Sequence, residues 1–333
     1  MKKIALLLSL LLAPALRADE RPTLEVYTYE LFSADWGPGP ELKANFEKHC
    51  GCTVRYTALD NVLLLANRLK ADGSALAADV VIGLDQSQID DPALQALFAP
   101  TKIDRHRIQV PLANDNPLFI PYDFAALAFV YRRDALKAPP TSLAELLQRE
   151  DVAVIYPDPR SSIVGRGFVQ WLQGLYADDQ ADAAWSELAR HTLTVGKGWS
   201  DSYGAFLKGE GDMVLSYNTS PLYHQMNDKT DNYAAAEFGE GSFFQVETMA
   251  KTAHANRSPA QSQLAEDFLS YLLSDEAQAL IATKNVMLSA TGAPVGSGYD
   301  ELRQRSLTRP VLNPKPPLDS KAAIKRWQRA AGR

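Results

Sequence analysis

Met213-Val214-Leu215-Ser216-Tyr217-Asn218-Thr219-Ser220-Pro221 passes directly from a buried-strand signature to a cluster of turn formers. Residues 213–216 are apolar or small and predict a short strand covered on both faces. Residues 217–221 then supply hydroxyl and amide groups where the chain must turn. Ligands in open α/β sheets bind just past the carboxyl ends of strands, so this transition points to a sheet and a site together. Upstream, Lys197-Gly198-Trp199-Ser200-Asp201-Ser202-Tyr203 leads into the strand through a short helical segment, which brings Trp199 toward Tyr217 and Tyr223. Three aromatics among small polar groups suit a cleft that stacks a flat ligand. The competing reading is that they are ordinary core or rim aromatics.

The N-terminal part carries the same signature several times over. Residues 24–29 alternate and are rich in β-formers, predicting a first strand. A loop over 30–40 and a helix over 41–49 follow, then a strand over 53–57. A helix over 61–72 stops at Gly73, and residues 78–83 predict a buried third strand opening into Leu84-Asp85. Strand–helix–strand–helix–strand is the pattern of a parallel, doubly wound lobe. Residues 119–131 form a long apolar stretch interrupted by Pro121, as expected of a strand crossing to a second lobe. That lobe is predicted from a helix at 142–148, a strand at 152–156, helices at 166–176 and 181–191, and a strand at 192–195. Residues 243–250 cross back, and Ser258-Pro259 opens a long amphipathic helix. A helix over 277–283 and a basic helical tail from 321 complete the chain.

Residues 1–18 stand apart. Lys2 and Lys3 precede an almost wholly apolar run that is short for a bilayer span, predicting a signal peptide cleaved after Ala18. The chain has 333 residues and a net charge of −6; losing Lys2, Lys3 and Arg17 takes it to −9. An acidic exported protein is a poor nucleic-acid binder and a reasonable host for a cation. Cys50 and Cys52, the only cysteines, flank Gly51. In an oxidising compartment they can pair across it, or they are two reduced structural thiols.

Nucleophile-elbow, phosphate-loop and metalloprotease motifs are absent, and the five histidines have no ligand spacing. His224, beside Tyr223, reads as a surface residue. The loops that follow strands, at 29–36, 60–62, 84–85, 161–165 and 217–220, carry aromatics, hydroxyls and carboxylates but no activated nucleophile. Such a set describes a binder better than a catalyst.

Tyr27-Thr28-Tyr29, Ala34-Asp35-Trp36-Gly37-Pro38-Gly39-Pro40, Asp158-Pro159-Arg160, Lys197-Gly198-Trp199-Ser200, Leu215-Ser216-Tyr217 and Asp231-Asn232-Tyr233 carry a resemblance. With them the chain resembles the periplasmic thiamine-binding proteins of bacterial ABC importers, within the wider group that holds ferric-ion and polyamine binders. The resemblance implies an α/β, two-lobed periplasmic-binding-protein fold of type II with the ligand cleft between lobes. It suggests residues 19–121 with 246–288 for one lobe and 122–245 with 289–333 for the other. It implies a monomer that carries thiamine, a thiamine phosphate or a similar cation to an inner-membrane permease, with no cofactor and no metal.

Positions matching the family's contacts are Asn61 and Val62, Ile163 and Val164, Trp199, and Tyr217, Asn218, Thr219 and Ser220; Tyr29, Trp36 and Tyr223 match aromatics around the site. The chain departs from the family pattern at Asn61-Val62, at Ile163-Val164 and at Val286, where relatives carry Asp-Gly, Thr-Pro and Trp. Near the end of strand one, Glu30 is the acidic side chain left to face a cation. The alternatives are a ferric-ion binder of the same fold and an exported thiamine-degrading enzyme. Ferric relatives use adjacent tyrosines, whereas Tyr217 is followed by Asn218; Cys50 and Cys52 lie away from the strand-end loops where a nucleophile would be needed.

Overall fold

The computed structural model describes residues 21–112, 116–314 and 319–332. The expected signal peptide at 1–18 lies outside them. Among the described residues, ten strands form one mixed sheet: β1 (Thr23–Tyr29), β2 (Thr53–Leu59), β3 (Val80–Asp85), β4 (Ile120–Arg132), β5 (Val154–Pro157), β6 (Thr192–Gly196), β7 (Met213–Tyr217), β8 (Tyr233–Ala235), β9 (Phe244–Lys251) and β10 (Leu288–Ser289). Their order is β2-β1-β3-β9-β4-β7-β5-β6, with β8 and β10 also paired to β4. The strands β2-β1-β3 run parallel, as do β7-β5-β6, and each trio has helices in its connections. This is the right shape for two α/β halves.

β4 is the hinge of the arrangement. It is buried along nearly its whole length. Its first half pairs antiparallel with β9 and β10; from Leu127 onward it pairs with β7 and β8. The expected crossing therefore exists and is one continuous strand. Each half has its own core. One gathers Leu24, Val26, Phe32, Phe46, Ile82, Phe268 and Ile281; the other gathers Phe129, Phe168, Trp171, Trp185, Leu215 and Trp327. A smaller cluster of Phe124, Phe244, Leu288, Tyr299 and Leu302 sits where the halves meet. Trp185, expected on the inward face of its helix, is completely buried.

Several boundaries differ from the sequence expectation. The loop after β1 contains a short helix, Glu30–Ser33, and Gly37 folds back on it so closely that a Cβ there would lie 2.3 Å from the Leu31 carbonyl oxygen. The helix expected from residue 166 begins at Ile163, because Ser162 caps it by accepting from the Gly165 amide at 3.4 Å. Ile163 and Val164 are thus the first helical turn rather than loop. The helix Ser297–Thr308 and the strand β8 had no expectation at all. Cys50 and Cys52 are joined in a disulfide, with Gly51 between them in the left-handed region at φ 61°.

Candidate functional site

The two halves present two chemically distinct surfaces where β4 crosses. The first is built on β7 and the segments around it. Trp199 opens the helix Trp199–Leu207 and is half-buried; its indole Nε1 donates to Ser216 Oγ at 2.8 Å. Ser216 Oγ lies 2.8 Å from Ser220 Oγ. The Tyr203 hydroxyl lies 2.9 Å from His224 Nε2, and His224 Nδ1 lies 2.6 Å from Asp228 Oδ2.

An indole N–H only donates and a carboxylate only accepts. Trp199 therefore donates to Ser216 at one end, and His224 Nδ1 donates to Asp228 at the other.

The rings of this series are also stacked. Trp199 and Tyr203 lie 5.1 Å apart at 16°, Tyr203 and His224 5.9 Å at 15°, and His224 and Tyr233 3.8 Å at 22°. His224, which the sequence suggested was at the surface, is 2% exposed. Tyr223 meets it edge-on and is 42% exposed, so its other flank is open. Beside this stack, Asn218 ties its loop to β4, accepting from the Ala126 amide at 3.2 Å and donating to Ser306 at 3.1 Å. The buried Thr219 hydroxyl donates to the Val286 carbonyl at 2.6 Å. Val286 has φ 55°, a strained conformation for a β-branched residue.

The second surface is built on β1, β3, β4 and β9. Gly83 sits at a bulge in β3 with φ 109°, and a Cβ there would strike the Tyr29 ring at 2.4 Å. The glycine therefore lets Tyr29 lie against the sheet. The Tyr29 hydroxyl lies 2.9 Å from Glu247 Oε2 and 3.1 Å from Asn285 Oδ1, and its one proton is shared between these two acceptors. Glu247 Oε2 also accepts from the Tyr122 hydroxyl, and its Oε1 accepts from Gln245 Nε2 at 3.0 Å. Gln245 Oε1 in turn accepts from the Tyr217 hydroxyl at 2.9 Å, which links this surface to β7. Asn285 Nδ2 donates to Asp123 Oδ2 at 2.7 Å.

Burial sets the charge state here. Burial, helped by the nearby charges of Glu247 and Asp123, holds the Tyr29 phenol well above its usual range; Tyr217 is held up by burial and by Glu247, Asp85 and Asp123. Both are neutral donors. Burial likewise raises the Asp123 carboxyl, with the Glu247 charge adding to it. Burial raises Glu247 too, against the bonds from Tyr122 and Tyr29, which favour its charged form.

The remaining expected residues are less central. Asn61 spends its side chain capping the helix Val62–Asp72, accepting from the Leu64 amide at 3.0 Å, and Val62 is buried in the first core. Val164 is buried in the second core, whereas the half-buried Ile163 packs against both cores. Trp36 is 59% exposed and makes no ring contact among the described residues. Glu30, expected to face a cation, is an exposed residue at the start of its short helix.

The acids that do face the junction were missed. Part of their signal was present: Asp123 interrupts the long apolar stretch of β4, where an unpaired carboxylate is rare, whereas β9 also carries Thr248 and Lys251 and gives Glu247 no such contrast. Among the described residues, no group of three or more His, Cys, Asp or Glu side chains is arranged to hold a metal ion.

Residues 24–279 match the model of the bacterial extracellular solute-binding proteins. The chain belongs to that family. It is 43% identical to the thiamine-binding periplasmic protein of Haemophilus influenzae, over 98% of this chain and 96% of that one. Against the thiamine-binding periplasmic protein of Escherichia coli the identity is again 43%, over the whole of both chains. A solved periplasmic thiamin binding protein superimposes with a TM-score of 0.81 at 42% identity, covering 94% of this chain and 97% of its own. An apo ferric ion-binding protein A from Pasteurella haemolytica superimposes at 0.71 with 16% identity, covering 93% and 96%, a likeness of fold. The solute-binding protein is thus two-lobed, with its two surfaces meeting at the crossing strands.

Proposed function

We propose that this solute-binding protein carries thiamine to an ABC importer of the inner membrane. The observation that carries the reading is full-length identity of 43% to two thiamine-binding periplasmic proteins. Its relatives are binding proteins, and the protein is a binder rather than an enzyme. The chemistry agrees. Thiamine pairs a flat aminopyrimidine with a thiazolium cation, and an aromatic face attracts a cation by roughly 0.5–2 kcal/mol. Trp199, braced on Tyr203, offers such a face, and Tyr29, Trp36 and Tyr223 are the other rings assigned to the ligand. Tyr217, Asn218, Thr219 and Ser220 with Asn61, Val62, Ile163 and Val164 complete the proposed lining. A ferric-ion reading is disfavoured, because ferric relatives use adjacent tyrosines and Tyr217 is followed by Asn218.

The proposed lobes are residues 19–121 with 246–288 and residues 122–245 with 289–333. Residues 1–18 direct export to the periplasm, where the relatives reside by name, and the mature protein acts as a monomer on its permease. Calorimetric titration of the purified protein with thiamine tests the function. Saturable one-to-one binding is expected. No heat and no thermal stabilisation at millimolar thiamine would overturn it.

A further inference from the structure

Asp85, Glu247 and Asp123 stand abreast. In the strand register, Glu247 of β9 is the direct partner of Asp85 on β3 and of Asp123 on β4. Direct partners in antiparallel strands point to the same face, and like charges opposite each other are destabilising. Two bulges create the row. One skips Gly83 in β3 and the other skips Tyr122 in β4, each within one or two residues of the acids. A slip of one residue moves a side chain to the other face of a sheet, so these bulges bring the three carboxylates together.

All three are buried, and none forms an ion pair among the described residues; Arg166 acts on Asp85 only through its field. Asp123 is fully buried, and its Oδ1 accepts no hydrogen bond from any described residue. A buried carboxylate oxygen without a partner is costly unless something else supplies the charge or the donor.

The row is bonded to two of the residues proposed to line the site. Tyr29 is bonded to Glu247, and Tyr217 reaches it through Gln245. We infer that Asp85, Glu247 and Asp123 are the counter-charge for the cationic ligand, and that its arrival expels a proton from the Glu247–Asp123 pair to solvent. The inference rests on the thiamine reading and deepens it, assigning the selectivity for a cation to the sheet rather than to the aromatics.

Before binding, burial and mutual repulsion favour the protonated acids. A cation in the cleft favours the ionised form. Proton release follows, and affinity rises with pH across the range where the row titrates. The groups facing the row are Tyr29 from β1, Tyr122 from β4, Tyr217 from β7, Arg166 from the helix Ile163–Leu175, and the neutral Asn285, Gln245 and Ser87. The three phenols are held neutral by burial, leaving the acids as the protons to be lost.

The test is calorimetry on the whole mature protein in phosphate and in Tris, whose ionisation heats differ, with two probes. Thiamine is the cation; thiochrome, its neutral tricyclic oxidation product, is the flat control. Thiamine should bind with a heat that depends on buffer in the sense of proton release, and thiochrome with a heat that does not. Asp123→Asn should abolish the release and weaken thiamine roughly ten- to hundred-fold, narrowing its advantage over thiochrome. A thiamine heat identical in both buffers with the parent protein overturns the inference while leaving the function intact, and so does an Asp123→Asn variant that keeps the parent affinity. Failure of the parent to bind thiamine at all defeats the functional reading and this inference with it.

Discussion

The two faces that meet at β4 solve opposite problems. On the Trp199 side, the indole donates to a serine hydroxyl, and His224 joins Tyr203 to Asp228, which is half exposed to water. On the Glu247 side, donors converge on one carboxylate, while a neighbouring buried carboxylate oxygen is left without any. The first face is bonded largely within itself, and its work is to hold a ring in place. The second is incomplete without an added charge. Satisfied networks give rigidity, and unsatisfied ones mark where a partner is needed.

The largest effect that tests this contrast compares two tryptophans. Trp185 is fully buried among Phe168 and Tyr156, so Trp185→Ala should destabilise the fold by about 3–5 kcal/mol. Thermal unfolding would register that, and a loss under about 1 kcal/mol would mean the second core is misdescribed. Trp199→Ala should instead weaken thiamine binding by roughly 2–4 kcal/mol, the range of a binding hot spot. Its stability cost should stay near 1–2 kcal/mol, because the Ser216 bond and the Tyr203 stack are lost together. The ligand-induced change in tryptophan fluorescence should vanish with it. Parent-like affinity in that variant would remove Trp199 from the site.

A smaller effect reads the other face in the absence of ligand. The folded-state pKa of Asp123 is raised, so between the unfolded value and the folded one the native protein binds the extra proton. Its contribution to stability is therefore present at low pH and declines as pH rises through that window. Asp123→Asn, which cannot ionise, should match the parent near pH 4 and melt progressively higher than the parent as pH rises toward about 8. A melting difference that is flat with pH would show that the row carries no raised titration. The smallest expected effect is on phosphate discrimination. Ile163, Val164 and Val286 present apolar side chains, so thiamine monophosphate and diphosphate should bind within about threefold of thiamine, a difference under 1 kcal/mol. A clear preference for the diphosphate would assign the departing positions a different role.

The difference in legibility between the faces follows from how each is encoded. The Trp199 face is written in two short stretches close in sequence, and a strand followed by turn formers announces it. The crossing strand was legible for a similar reason, since Pro121 interrupts a long apolar stretch. The helix start at Ile163 was missed because Ser162, a one-residue cap, outweighed the pull of Gly165 and Gly167 toward a loop. Glu30 draws the sequence reading because it is near Tyr29 in sequence. Tyr29 and Glu247 lie 218 residues apart and meet only through strand register. The row of acids depends on two bulges, and a single sequence gives no register. Likewise His224 reads as a surface residue until Tyr233 of β8, a strand with no sequence expectation, closes over it.

The structure of the thiamine complex is the most direct test of the central claim that the ligand lies between these two faces. The account predicts one ring of thiamine against Trp199 and the thiazolium on the side of Tyr29 and Glu247, with the lobes drawn together around it. Thiamine bound elsewhere on the molecule, or in the cleft with its thiazolium turned away from the acidic row, would contradict it.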